Sequence, residues 1–207
     1  MATARKIVVE AWIPSPVELV WERSQDAEMH ASWDLRFTTI GYLPEKDARG
    51  YHLMDYRTRI ALGMEIVGVG RYLHSTPLRH STFEFDSEDW KSIIRDGRGI
   101  WQYEPRPGGT HFKTVYDYDH RHGAFGRALD RLLFRRLLQL ATEWSFETLR
   151  QWCEGDENAP VRRRSRLRFG LFFLRRWLGG KPSPGAARSW LGTGREPTEL
   201  LDMPPAT

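Results

Sequence analysis

The chain has 207 residues, 40% of them hydrophobic and 28% charged, which suits one domain with a sizeable core plus an appendage. A single cysteine, Cys153, excludes an internal disulfide, and no apolar run reaches the roughly 20 residues that span a bilayer. The net charge of +4 is unevenly shared: ten basic and three acidic residues from Pro160 onward give +7, leaving −3 on the preceding residues.

The N-terminus runs into a strand pattern without a long apolar stretch, so the expectation is no signal peptide and a cytoplasmic protein. Arg5 to Trp12 alternates, with Ile7 and Val9 on one face, and reads as a first strand. Pro14 and Pro16 end it. Ser15, with Glu18 three residues later, opens a short helix carrying Val17, Val20 and Trp21. Asp26 caps a second short helix, Ala27 to Ser32. Strands are then expected over 35–43, 51–60, 64–74, 79–86, 92–104 and 110–119. They are joined by the turn-rich PEKDARG, by Ala61-Leu62-Gly63 and by a turn at 105–109, while Gly97 and Gly99 mark a bulge or bend. The longest periodic run is 123–152. Leu129, Leu133, Leu137, Leu140 and Trp144 recur at helical spacing there and predict one long helix with a leucine face.

This order defines an α+β fold, a curved antiparallel sheet of about seven strands around a long C-terminal helix, with two short helices after strand 1. The stretch IVVEAWIPSPVELVWERSQDAEMHASWDLRF combines a strand, a Pro-flanked small residue, Val-x-x-Val-Trp at 17–21, an Asp-led second helix and Trp33 before the second strand. In this it resembles the opening of the bacterial polyketide cyclase/dehydrase-like proteins of the START-like, helix-grip (SRPBCC) superfamily. The resemblance covers about residues 5–153. It implies a helix-grip fold with a cavity between sheet and helix, and it implies no particular chemistry, because fold does not determine function.

On that fold, one face of the bent sheet points at the helix. Met54, Tyr56, Met64, Ile66, Trp101, Tyr103, Tyr116 and Tyr118 would line a cavity, with Leu133 and Leu137 above and Trp33 and Arg36 near its mouth. The same residues could instead fill a solid core. Asp55, Arg57, Asp96 and Arg98 sit inside strands at i, i+2 spacing. Facing inward they would supply an acid/base pair and an oxyanion-stabilising arginine for cyclisation or dehydration. Facing outward they are cross-strand ion pairs, the ordinary arrangement on a polar convex face. No phosphate loop, dinucleotide fingerprint, nucleophile elbow or His-Glu-x-x-His is present, and no cofactor is expected. His111, His120 and His122 lack ligands to complete a metal site, so no metal is expected either, and His120 and His122 read as a surface loop. Cys153 has no His partner and reads as inert.

Ala159-Pro160 divides the chain into a ligand-binding domain, 1–158, and a basic appendage, 159–207. Within 161–178, Leu167, Leu171, Leu174 and Leu178 share a helical face beside Gly170 and Trp177, with Arg164, Arg168 and Arg175 alongside. As an interfacial helix it would touch anionic lipid through Arg164, Arg168, Phe172, Phe173, Arg175, Arg176 and Trp177. The alternatives are packing on the domain or on a second copy, and nucleic-acid binding, which the acidic balance of the domain disfavours. Residues 181–207 read as disordered, and the oligomeric state stays open. The functional expectation is a pocket for a hydrophobic small molecule (lipid, isoprenoid or polyketide-like), with the tail holding the protein at the inner face of a membrane. The alternatives are a cyclase, aromatase or dehydratase, and a protein-interaction module.

Overall fold

The computed structural model describes residues 6–59 and 64–179. The expectations for Arg5, Ile60, the 61–63 junction and the 181–207 tail lie outside those residues. Seven strands form one antiparallel sheet in the order β1-β7-β6-β5-β4-β3-β2. The first strand, β1 (Ile7–Ile13), buries Ile7, Val9, Ala11 and Ile13. Two short helices follow, α1 (Val17–Gln25) and α2 (Ala27–Trp33), and the Asp26 carboxylate caps α2 by accepting from Met29 N at 2.9 Å. The remaining strands are β2 (Thr39–Lys46), β3 (His52–Arg59), β4 (Glu65–Thr76), β5 (His80–Asp86), β6 (Ile94–Arg106) and β7 (Gly109–His120).

Two boundaries move for local reasons. β2 starts at Thr39 and not at 35, because Phe37 N donates to Asp34 O and the chain turns there. The last hairpin is tighter than expected. Pro105 pairs with Thr110 inside the ladder, so the turn shrinks to Pro107-Gly108, where Gly108 has φ +85°.

The concave face is floored by rings lying flat on the sheet. Tyr56 reaches from β3 across Gly68 and donates its hydroxyl to Asp86 O at 2.8 Å. A Cβ at Gly68 would fall 2.1 Å from that ring. Phe85 lies in the same way over Gly97, within the irregular stretch of β6 between Arg95 and Arg98.

The long helix has three parts: α3 (Gly123–Leu129), a π turn (Asp130–Phe134) and α4 (Arg135–Cys153). α4 packs chiefly on β1, and α3 touches β7. Thr142, Ser145, Phe146, Leu149 and Cys153 are all buried, and Thr142, Ser145 and Phe146 meet the strands and α2–β2 directly. The leucine face expected to do this does so only in part: Leu140 is buried, but Leu133 is 40% exposed, and Trp144 is covered from the other side by the tail. The π turn adds a residue to one turn and rotates the leucines before it out of line with those after it. α5 (Ala159–Arg163) packs between α2 and α4, and α6 (Arg166–Trp177) lies on the outer side of α4.

Gly68→Ala should lower stability by roughly 1–3 kcal/mol, since Tyr56 must leave its place. In a Tyr56→Ala background the same change should cost much less. Denaturant unfolding of the four-member cycle measures the coupling, and strictly additive costs would contradict the close approach.

Candidate ligand site beneath the long helix

A buried carboxylate organises the space between α2, β7 and α4. Asp34 is fully buried. Arg36 donates to it through Nε at 2.9 Å and Nη2 at 2.5 Å, and His30 Nε2 donates at 3.1 Å. Ser145 Oγ from α4 lies 3.0 Å from Asp34 Oδ1 and accepts the Leu35 N–H at 3.0 Å. Burial alone would raise the Asp34 pKa, but the charge of Arg36 and the bonds from His30 and Arg36 outweigh it and hold the carboxyl well below its usual range. His30 shifts down, because burial among Trp33, Phe37 and Trp101 outweighs the pull of Asp34. It is neutral at physiological pH.

The polar seam continues along β7. Tyr116 donates to Thr142 Oγ1 at 2.7 Å, and Thr142 in turn donates to Leu138 O. Tyr118 donates to Asp130, which the π turn directs into the interior. Asp130 also meets His120 at 3.0 Å and Arg135 at 2.9 Å. Burial pushes Asp130 up, but Tyr118, His120 and Arg135 together bring it below its ordinary value. Tyr118 is raised strongly, first by burial and then by Asp130. His120 is therefore part of this cluster and not of a surface loop.

Around this seam the concave face is incompletely covered. Phe37, Tyr56, Phe85, Ile94, Phe134 and Leu138 remain partly exposed. Ring contacts connect them: Phe37 with Tyr56 at 5.5 Å, Phe85 with Tyr116 at 6.3 Å, and Phe134 with Tyr118 at 6.2 Å. The Arg36 guanidinium stands over Phe37 at 5.5 Å and Tyr116 at 5.6 Å, with its side chain 15% exposed. Asp34 takes one edge of the guanidinium, and the Tyr116 side chain interacts with it as well. These partly exposed rings, with the guanidinium beside them, mark the least covered part of the concave face.

The structure separates the residues that the sequence grouped. Met54, Tyr56, Ile66 and Tyr116 are on the concave side, with Tyr118 beneath the helix. Trp101 and Tyr103 fill the core instead of lining a hollow: Trp101 is enclosed by His30, Trp33, Phe83 and Phe112, and Tyr103 bonds Ser24 and Gln25. Trp33, 1% exposed and donating to Arg23 O, is core and not mouth. Met64 precedes β4 and is 45% exposed, so it lines nothing. Leu137 is half-buried, on the helix side that the π turn rotates away from the floor.

Asp55, Arg57, Asp96 and Arg98 all lie outside. Arg57 pairs with Asp55 at 3.7 Å and Glu65 at 3.3 Å, and Asp96 pairs with Arg95. Arg98 stands in register between Glu84 and Asp117, and Glu84 opposite Arg71, so charges of alternating sign cross the convex face. A polar depression of about 410 Å³ lies there, lined by residues including Arg71, Glu84, Asp96 and Arg98. Among the described residues no group of three His, Cys, Asp or Glu could hold a metal. Burial raises the Cys153 thiol to about 11.

This architecture, a curved antiparallel sheet gripping a long helix, is a helix-grip fold. It matches TTHA0849 from Thermus thermophilus with TM-score 0.57 and 19% identity, over 72% of this chain and 97% of that one. The di-domain aromatase/cyclase StfQ of steffimycin biosynthesis matches with TM-score 0.53 and 10% identity, over 72% of this chain and 50% of StfQ. Ara h 8.0201 matches with TM-score 0.52 and 8% identity, over 73% and 99%. These likenesses establish the fold. No protein-family model matches the chain. The chain belongs to the family of the uncharacterized membrane protein YndG of Bacillus subtilis (strain 168), with 36% identity over 182 residues, 84% of this chain and 68% of YndG. Among the described residues no helix is long and apolar enough to cross a membrane.

Arg36→Leu should destabilise by about 3–5 kcal/mol, because it strands a buried charge at Asp34. Replacing both, Asp34→Asn with Arg36→Leu, should recover much of that loss in thermal or denaturant unfolding. Acidification has a defined sign. His30 is held below its ordinary 6.5, so below that pH the unfolded chain takes the proton first and stability falls. The Asp34 contribution is lost at lower pH, beneath its ordinary 3.8. His30→Gln should flatten the loss that sets in below pH 6.5 and leave any His80 contribution in place. An unchanged stability–pH curve would contradict a neutral buried His30.

Proposed function

We propose that the protein binds an apolar small molecule carrying an acid group in the hollow beneath the long helix, and that it acts as a carrier. The observation behind this reading is Arg36, a guanidinium that Asp34 and Tyr116 hold beside partly exposed Phe37, Tyr56 and Phe85. Apolar burial would supply the driving force, at about 25 cal/mol per Å², and Arg36 would orient the acid group. The name of YndG, a membrane protein, favours a guest of lipid origin. The fold of an aromatase/cyclase is compatible with either carriage or catalysis.

An enzymatic reading has less support. The four strand-borne charges face solvent. Among the described residues the buried carboxylates Asp34 and Asp130 are each engaged by several donors, so neither stands free to act as a base.

The test uses dansyl-undecanoic acid as a fluorescent acid probe. Its emission should rise on binding and be displaced by oleate. Leu138→Trp, which occupies the hollow, should weaken binding about tenfold, and the methyl ester of the probe should bind about tenfold less tightly. Native mass spectrometry of protein from its own host should show a co-purified small molecule. Absence of both probe binding and a co-purified molecule would rule the reading out.

A further inference from the structure

The tail helix α6 has two apolar sides, and the fold uses one of them. Phe169 and Phe172 pack on Trp144 at 5.9 and 5.1 Å, and Phe173 stacks along the helix on Phe169 and Trp177. Arg136 of α4 donates to Arg176 O and lies over Trp177, while Arg176 reaches Glu143. The Ser165 hydroxyl caps the helix by accepting from Arg168 N. α6 is therefore seated on the domain by its phenylalanine side. Phe172, Phe173 and Arg176, expected to touch lipid, belong to that seated side and are half-buried.

The other side is uncovered. Leu167, Leu171, Leu174 and Leu178 fall at i, i+4, i+7 and i+11, on one line along the helix, and are 76%, 62%, 52% and 76% exposed. Arg168 and Arg175 are exposed along one flank of that line, and α6 contains no acidic residue. On the long helix, one turn before Arg136, Leu132 and Leu133 are exposed as well.

We propose that this leucine face docks on an anionic membrane surface, lying in the plane of the interface. A leucine line inserts among acyl chains while flanking arginines meet lipid phosphates, and the two attractions together give stable but reversible attachment. Charge decides the occupant: a seam with cations and no anions complements a negative bilayer, whereas two copies meeting face to face would bring their arginine flanks together. Arg164 has a structural role, since it donates to Ala31 O and Thr38 O and ties the tail to α2 and β2. The docking does not require a ligand in the hollow.

The test is co-flotation of the full chain with phosphatidylcholine vesicles and with 7:3 phosphatidylcholine/phosphatidylglycerol vesicles. The protein should float with the anionic vesicles and be released by salt. Leu171→Glu with Leu174→Glu should weaken partition about tenfold or more while unfolding temperature and dansyl-undecanoic acid binding stay unchanged. Retained probe binding separates failure of docking from failure of the ligand reading. Three results would overturn the proposal: no flotation of the wild-type chain, equal flotation of the variant, or a wild-type dimer in light scattering that the variant converts to monomer.

Discussion

A carboxylate taken out of water must be compensated on the spot, and Asp34 is compensated from three parts of the chain. His30 comes from α2, Arg36 from the segment leading into β2, and Ser145 from the middle of α4. The charge is tolerated only if all three arrive, so its neutralisation fixes where the long helix sits relative to the second strand. The same side chain sets Arg36 over Phe37 and Tyr116. The position of the helix and the polarity of the hollow thus share one cause.

The sheet and helix contribute in complementary ways. Flat rings over Gly68 and Gly97 keep the floor low, and the hydroxyls of Thr142 and Ser145 give the helix a slim, bonding underside. Bulk is concentrated toward the closed end, where Phe112 stacks on Phe146 at 4.6 Å and on Tyr103 at 4.8 Å. Toward the π turn the apolar side chains Ile94, Phe134 and Leu138 are only partly buried, in contrast with this solid end.

Much of the fold was legible because alternation and caps are local signals. The seven strands, the Asp26 cap and the shared face of Phe112, Thr114, Tyr116 and Tyr118 follow directly from period and residue type. The site was less legible. The hydrophobic pattern of the long helix pointed to its leucines, yet the sheet side also carries Thr142 and Ser145, whose side chains are only weakly apolar. The extra residue in the π turn has no marker in the sequence. Neither Asp34 nor Asp130 stands out in the sequence as a buried group. The available clue was His30 four residues before Asp34 on a short helix, with Arg36 two residues beyond, a spacing that brings three ionisable groups together.

The permanent claim of Asp34 on Arg36 bears on how strongly any acid guest could be held. A newcomer meets a guanidinium whose charge is already largely balanced and which keeps its resident partner throughout. Such a guanidinium discriminates between head groups with about a tenfold gain in affinity, small enough for residence to stay short. Short residence suits a shuttle that loads and unloads repeatedly more than a storage protein that sequesters what it captures.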